Sequence, residues 1–288
     1  MQTRIGCGQI TWRGVPADDV LSDIAKAGYE GAPHGGKGTA DEIRAGLAKH
    51  GLQPAPGYFG GDFWDASKYD EYVQAAARYA AVAHQLGVTE LYVSAGGFNT
   101  TTKAGRTRRD VAAHATPEDA LSDEEFAQLV RCVEGIARAT LAEGVKSCYH
   151  NHVGTFVETE DEIERLLAAI PSDVLFLGPD TGHLAWAGVD VVEFARRHGS
   201  RIKTLHLKDI VASVREQGVA EGWGYSEFEQ NAVWIELGQG AVDFPGLFDV
   251  LESNDFNGWL IVETDVTQLP TPLESAVVSR QYLRSHGH

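Results

Sequence analysis

The sequence predicts one (β/α)8 barrel, and three observations carry that prediction. Eight short apolar runs alternate with segments of helical periodicity along the whole chain. The 288 residues divide by eight into 36 per unit, enough for a strand, a helix and two connections. Four runs in the second half close on residue types that bind divalent metals: SCYHNH (147–152), FLGPDTGH (176–183), IKTLHLKD (202–209) and WLIVETD (259–265). In a parallel barrel those ends meet at one face, where such folds carry out chemistry.

The units follow in order. IGCGQI (5–10) precedes DDVLSDIAKAG (18–28), and YEGAPH (29–34) precedes ADEIRAGLAKHG (40–51). LQPAPGYF (52–59) precedes YDEYVQAAARYAAVAHQLG (69–87), and ELYVSA (90–95) precedes DEEFAQLVRCVEGIARATLAEG (123–144). VKSCYHNH (145–152) precedes TEDEIERLLAAI (159–170), and VLFLGPD (174–180) precedes VDVVEFARRHG (189–199). IKTLHLKD (202–209) precedes AVDFPGLFDVLESND (241–255), and GWLIVET (258–264) precedes PLESAVVSRQYLRS (272–285). Several helical segments stop at Gly, which takes the left-handed conformation that ends a helix. A doubly wound open sheet is the rival. It normally shows a Gly-rich phosphate turn after its first strand, and GQITWRG is not one. No domain-sized linker or low-complexity tract interrupts the alternation, so one domain is expected over 1–288.

Composition narrows the partners. The formal charge is −17 and 43% of residues are hydrophobic; the sequence pI is about 5.0. An acidic surface repels phosphate backbones and anionic membranes, so neither nucleic acid nor membrane is an expected partner. No stretch approaches the length of a membrane span, and the N-terminus lacks a signal-peptide pattern. Cys7, Cys132 and Cys148 are odd in number and scattered, so reduced thiols and a cytoplasmic location are expected.

Two loops are long. FNTTTKAGRTRRDVAAHATPEDALS (98–122) carries Lys103, Arg106, Arg108 and Arg109; it reads either as a lid or as a surface excursion. IVASVREQGVAEGWGYSEFEQNAVWIELGQG (210–240) holds Trp223, Tyr225, Phe228 and Trp234. Those aromatics should pack on the barrel mouth or on a second subunit.

His150, Asp180, His206 and Glu263 suit a divalent metal. Two carboxylates neutralise it and two neutral imidazoles add no charge; the donor set favours Mn, Co, Fe or Zn over Ca. His150 and His152 alternate to the same side of their strand, so either could be the ligand. A lone strand-end His is ordinarily a cap or turn residue; four at successive strand ends point to a site. His152, His183, Lys208 and Asp209 surround the set and equip it for proton transfer beside a polarised carbonyl. A structural ion pair between Lys208 and Asp209 is the plainer alternative.

CYHNHVGTFVET, DTGHLAWAG, LHLKD, GQGAVDF and GWLIVETD together resemble the xylose-isomerase-like TIM barrel superfamily of sugar isomerases and epimerases, and within it the inosose dehydratase branch. The resemblance runs from GCGQITW to SRQYLRS, nearly the whole chain. It implies a barrel with one divalent metal, Mn or Co foremost, with Fe, Zn or Mg also suited. The implied ligands are Asp180, His206 and Glu263, with His150 where most of the family has Glu. That departure fits the dehydratase branch and leaves His152 as an alternative ligand. The resemblance further implies a substrate contact for His183, and proton-transfer or substrate-binding roles for Lys208 and His152. His152 or His183 could protonate the departing hydroxyl. GAPHGG departs from an acidic second strand, so His34 is either a substrate contact or a surface residue. Trp12 is either an apolar wall under a sugar ring or a core residue.

The implied activity is a metal-dependent lyase that dehydrates a cyclic polyhydroxy ketone such as 2-keto-myo-inositol, working as a homo-oligomer. A keto-sugar isomerase or epimerase would use the same enediolate but return the proton. A lyase or hydratase on a 3-keto-glucoside shares the site. An apurinic endonuclease would need a basic face, against the charge found here, and a binding-only barrel would carry no metal.

Overall fold

The computed structural model describes residues 2–288. Its strands are β1 (Gln2–Cys7), β2 (Gly31–Pro33), β3 (Gln53–Ala55), β4 (Tyr58–Gly61), β5 (Glu90–Ala95), β6 (Lys146–Tyr149), β7 (Phe176–Leu177), β8 (Thr204–Leu207), β9 (Asp209–Ile210), β10 (Trp234–Ile235) and β11 (Asn257–Val262). One parallel sheet runs β3-β2-β1-β11-β8 and a second runs β4-β5-β6-β7. Parallel bridges Leu177–Ile202 and Asp180–His206 join β7 to β8. On the other side β3 and β4 are two halves of one barrel strand. Pro54 and Pro56 bring no N–H to the ladder, so the strand pairs in turn with β2 and then β5. The eight expected strands thus close into a barrel.

The eight expected helices surround it within a few residues of their expected bounds: Ala17–Ala27, Ala40–Ala48, Tyr69–Gln85, Asp123–Ala142, Glu160–Ala169, Val191–His198, Phe244–Ser253 and Pro272–Ser285. Thr39, Ser122 and Thr159 start three of them with capping boxes that use Glu42, Glu125 and Glu162. Three further helices were not expected: Thr181–Ala187, Ala212–Glu221 and Tyr225–Gln230. No helix among the described residues is long and apolar enough to cross a membrane.

Two-residue alternation decides which side chains reach the mouth. On β11, Leu260 and Val262 pack outward against the helices, while Trp259 and Ile261 fill the barrel interior with Ala55 and Tyr92. The next inward position after Ile261 is Glu263. On β8, Leu205 and Leu207 face outward, and Thr204 points inward to bond the Tyr92 hydroxyl at 2.6 Å; the next inward position is His206. Trp259 fits because Gly31 faces it: a Cβ there would stand 2.6 Å from the indole.

Both long loops fold over the mouth. Segment 98–122 forms two 3-10 turns, Arg108–Val111 and Pro117–Asp119. The buried Arg108 guanidinium donates to both Glu162 carboxylate oxygens at 2.8 and 2.9 Å and lies 3.5 Å from Glu158. The surface-excursion alternative is therefore set aside. In segment 210–240, β9 and β10 pair antiparallel, and Tyr225, Phe228, Val233 and Trp234 form a second core with Ala112, Val153, Trp186 and Ile210. Its aromatics pack on the barrel mouth of their own chain. The three cysteines are buried free thiols.

Candidate active site and metal centre

A cavity of about 480 Å³ opens at the C-terminal ends of the strands. His150, His152, His206, Glu263 and Asp265 line one side of it. Asp180 is fully buried just behind.

Asp180 owes its position to the strand-to-helix turn after β7. Its Oδ1 caps the helix Thr181–Ala187 by accepting the His183 backbone N–H at 2.9 Å. Asn151 holds the Asp180 backbone from the neighbouring strand end: Oδ1 accepts its N–H at 3.0 Å and Nδ2 donates to its carbonyl at 3.3 Å. Asp180 Oδ2 is left without a hydrogen-bond partner, and so are both ring nitrogens of His206. His150 Nδ1 lies 3.1 Å from the Gly178 carbonyl. A carbonyl only accepts, so Nδ1 carries the proton and Nε2 keeps its lone pair, the form a metal ligand requires. That Nε2 lies 4.0 Å from Asp180 Oδ2, and His206 Nδ1 lies 3.8 Å from the same oxygen. His150, Asp180 and His206 each offer one ligand atom within 4.8 Å of the others. Glu263 Oε2 is 3.3 Å from His206 Nδ1.

Lys208 is the cation at the centre of this acid cluster. Its Nζ sits 3.3 Å from Asp180, 3.1 Å from Glu263 and 2.6 Å from Asp265. Three carboxylates against one ammonium leave a formal charge of −2 when the imidazoles are neutral, which one divalent ion cancels. The titration directions of Lys208 and Glu263 agree. Burial works against the Lys208 ammonium, but Asp180, Asp265 and Glu263 outweigh it and hold the amine well above its usual range. Burial pushes Glu263 up, but Lys208 and His206 prevail and hold it well below. Asp180 is raised, chiefly by burial. Burial pushes His150 and His183 well below the usual imidazole range, and with Lys208 it takes His152 down to about 4.

A second trio, His152, His183 and Asp265, lies beside the first. The Val153 residue sets both imidazoles. His152 Nδ1 donates to the Val153 carbonyl at 2.8 Å, which leaves the Nε2 lone pair free. His183 Nδ1 accepts the Val153 N–H at 3.3 Å, which puts the proton on Nε2. A cation at this trio would face that proton. The two rings pack with centroids 3.7 Å apart, tilted by 35°.

Several expected placements change. Trp12 is no substrate wall: it packs in the core, and its Nε1 donates to Asp23 at 3.2 Å. Asp209 does not touch the cavity. Its carboxylate accepts the backbone N–H groups of Ile210, Gly238, Gly240 and Val242 and so anchors the GQG turn; it does not pair with Lys208. His183 is fully buried behind His152, so it meets the cavity only through that ring. His34 is a wall of the cavity rather than a surface residue. β6 ends at Tyr149, so His150 and His152 leave the strand alternation, and their rings stand 6.3 Å apart. Asp265 and Asn151 were not singled out from the sequence. The signal was there, in the last letter of VETD and the third of YHNH.

A family model described as Xylose isomerase-like TIM barrel matches residues 14–286. The inosose dehydratase of Geobacillus kaustophilus (strain HTA426) is 30% identical over 292 residues, spanning 97% of this chain and 93% of its own. The inosose dehydratase of Clostridium botulinum (strain Alaska E43 / Type E3) is 28% identical over 270 residues, spanning 93% and 88%. Among solved structures, the probable 3-DHS dehydratase from Bacillus anthracis superposes with a TM-score of 0.71 at 14% identity, covering 98% of each chain.

Proposed function

The chain belongs to the xylose isomerase-like TIM barrel family and is an enzyme, and on that premise we propose that it is a divalent-metal-dependent carbon–oxygen lyase. Its substrate in this reading is a cyclic polyhydroxy ketone of the 2-keto-myo-inositol kind, which loses water. The observation that carries the reading is the cavity floor. Asp180 Oδ2, both ring nitrogens of His206 and the Nε2 lone pair of His150 converge there with no hydrogen-bond partner, Lys208 and Glu263 being ion-pair neighbours at 3.3 Å, in a cluster short of two positive charges. That donor set fits a first-row divalent ion, Mn or Co foremost, with Fe, Zn or Mg also suited. His150, Asp180, His206 and Glu263 would hold it. When bound, such an ion supplies Lewis-acid stabilisation of negative charge on the substrate oxygens.

The remaining steps belong to side chains. His152 presents Nε2 to the cavity and takes the proton from the carbon beside the carbonyl. The electron pair of that C–H bond becomes a C=C bond as the C–O bond to the neighbouring hydroxyl breaks. The His152 imidazolium gives its proton to the departing hydroxyl, which leaves as water. The product is an enol, because the deprotonated carbon bears its own hydroxyl, and it ketonises to a 1,2-diketone. Lys208 keeps Glu263 ionised and holds both Glu263 and Asp265 in place. Phe98, Tyr225 and the loops behind them cover His152 and limit bulk water.

The test is turnover of 2-keto-myo-inositol in D₂O by chelator-stripped protein, with and without added Mn²⁺. The expected result is metal-dependent appearance of the ultraviolet-absorbing diketone. A deuterated epimer without water loss would identify an epimerase instead, and no reaction under either condition would end the metal-lyase reading.

A further inference from the structure

The cavity has two unlike walls. Besides the imidazoles and acids, Ile10, Pro33, Pro56 and Tyr58 line it. Ile10 and Tyr58 are each 45% exposed, and with Val15 they are the exposed large apolar side chains among the described residues. Single exposed apolar residues need no explanation; two that rim one cavity make a surface for a ligand to cover.

His34 stands on the same wall. It is 4% exposed, yet neither ring nitrogen has a hydrogen-bond partner. Both nitrogens are shielded from the cavity, so His34 contributes ring surface to this wall rather than a polar contact. The wall is preformed. Gln9 Nε2 donates to the Pro33 carbonyl at 2.7 Å, and the Tyr79 hydroxyl donates to the His34 carbonyl at 2.5 Å. Tyr58 joins the two walls, its ring edge-on to His150 at 5.3 Å. The volume of about 480 Å³ lies within the roughly 300–1,000 Å³ of pockets that bury drug-sized ligands, more than one six-membered polyol fills.

We propose that this wall is a second subsite, which takes an apolar ring attached through oxygen to the keto-sugar. The substrate class is then an aryl glycoside or its keto form. The aryl ring lies against Ile10, Pro56 and Tyr58, beside the buried His34 ring. The inference rests on the preceding reading only in seating the polyol ring on the polar wall.

Calorimetric binding of unoxidised phenyl and methyl β-glucosides to Mn²⁺-supplemented protein tests it without turnover. The phenyl glucoside should bind at least tenfold more tightly. The ratio of the two affinities should fall to within about twofold in both Ile10→Ser and Tyr58→Ala; the partly exposed Ile10 makes the first variant safe for folding. A ratio near one in the unaltered protein, no measurable binding of either glucoside, or a ratio that survives both substitutions would overturn the subsite. If the ratio behaves as expected while 2-keto-myo-inositol is not dehydrated, the subsite stands and the lyase reading falls. Dehydration with a ratio near one is the reverse case.

Discussion

Replacing Lys208 by Met removes the ammonium and keeps the length and packing of the stem. Lys208 is 1% exposed and its Nζ meets three carboxylates at 3.3, 3.1 and 2.6 Å. The variant leaves Asp180, Glu263 and Asp265 facing one another with no cation. The three contacts share one donor and do not add; breaking a buried pair by removing one partner costs about 3–5 kcal/mol. In a chain of this size each kcal/mol lowers Tm by about 2 °C, so metal-free Lys208→Met should melt about 6–10 °C lower. The formal charge of the cluster goes from −2 to −3, so a divalent ion gains more from binding the variant. Scanning calorimetry of stripped and Mn²⁺-supplemented protein reads both effects: a lower apo Tm, and a larger Mn²⁺-induced rise than in the unaltered protein. An apo Tm within about 2 °C of the parent would refute the central role given to Lys208. Equal Mn²⁺ shifts would refute the charge count.

His152→Asn should lower turnover of 2-keto-myo-inositol about 10²–10⁴-fold while the Mn²⁺-induced Tm shift persists; loss of that shift would make His152 a ligand rather than a base. Segment 98–122 should have its own pH dependence. Burial outweighs Arg108 and the Gly154 and Ala113 N–H groups, and raises Glu158 to about 7. A carboxyl raised above its unfolded value, about 4.3, contributes stability at low pH that is lost as pH climbs through the folded value. Hydrogen exchange of 98–122, corrected for intrinsic rates, should therefore show more protection near pH 5 than near pH 8. Glu158→Gln should flatten that difference, and an equal slope in the variant would contradict the assignment.

The repeating units were legible because their signals are local. The helical segments carry their own caps, as Ser122 with Glu125 and Thr159 with Glu162 show, and the strands carry apolar runs of the right length. The positions proposed as ligands were legible for a related reason. Glu263 and His206 continue an inward alternation that begins with Trp259, Ile261 and Thr204. Trp12 and Asp209 went astray where the chain leaves that alternation. Past a strand end the side-chain direction is set by the loop: one turns Trp12 into the core, and the other wraps four N–H groups around Asp209. The two readings of His34 stayed open because nothing nearby in the sequence reveals the cavity beside it.

From the order of its residues alone, this chain determined a barrel, its units, and the acids and imidazoles delivered to one rim, since each depends on neighbours within a few positions. Only the tertiary structure decided that Lys208 reaches three carboxylates on two other segments, and that the N–H and C=O of Val153 place the free lone pair on His152 and the proton on His183. Those arrangements depend on distances between segments that meet only when the barrel closes.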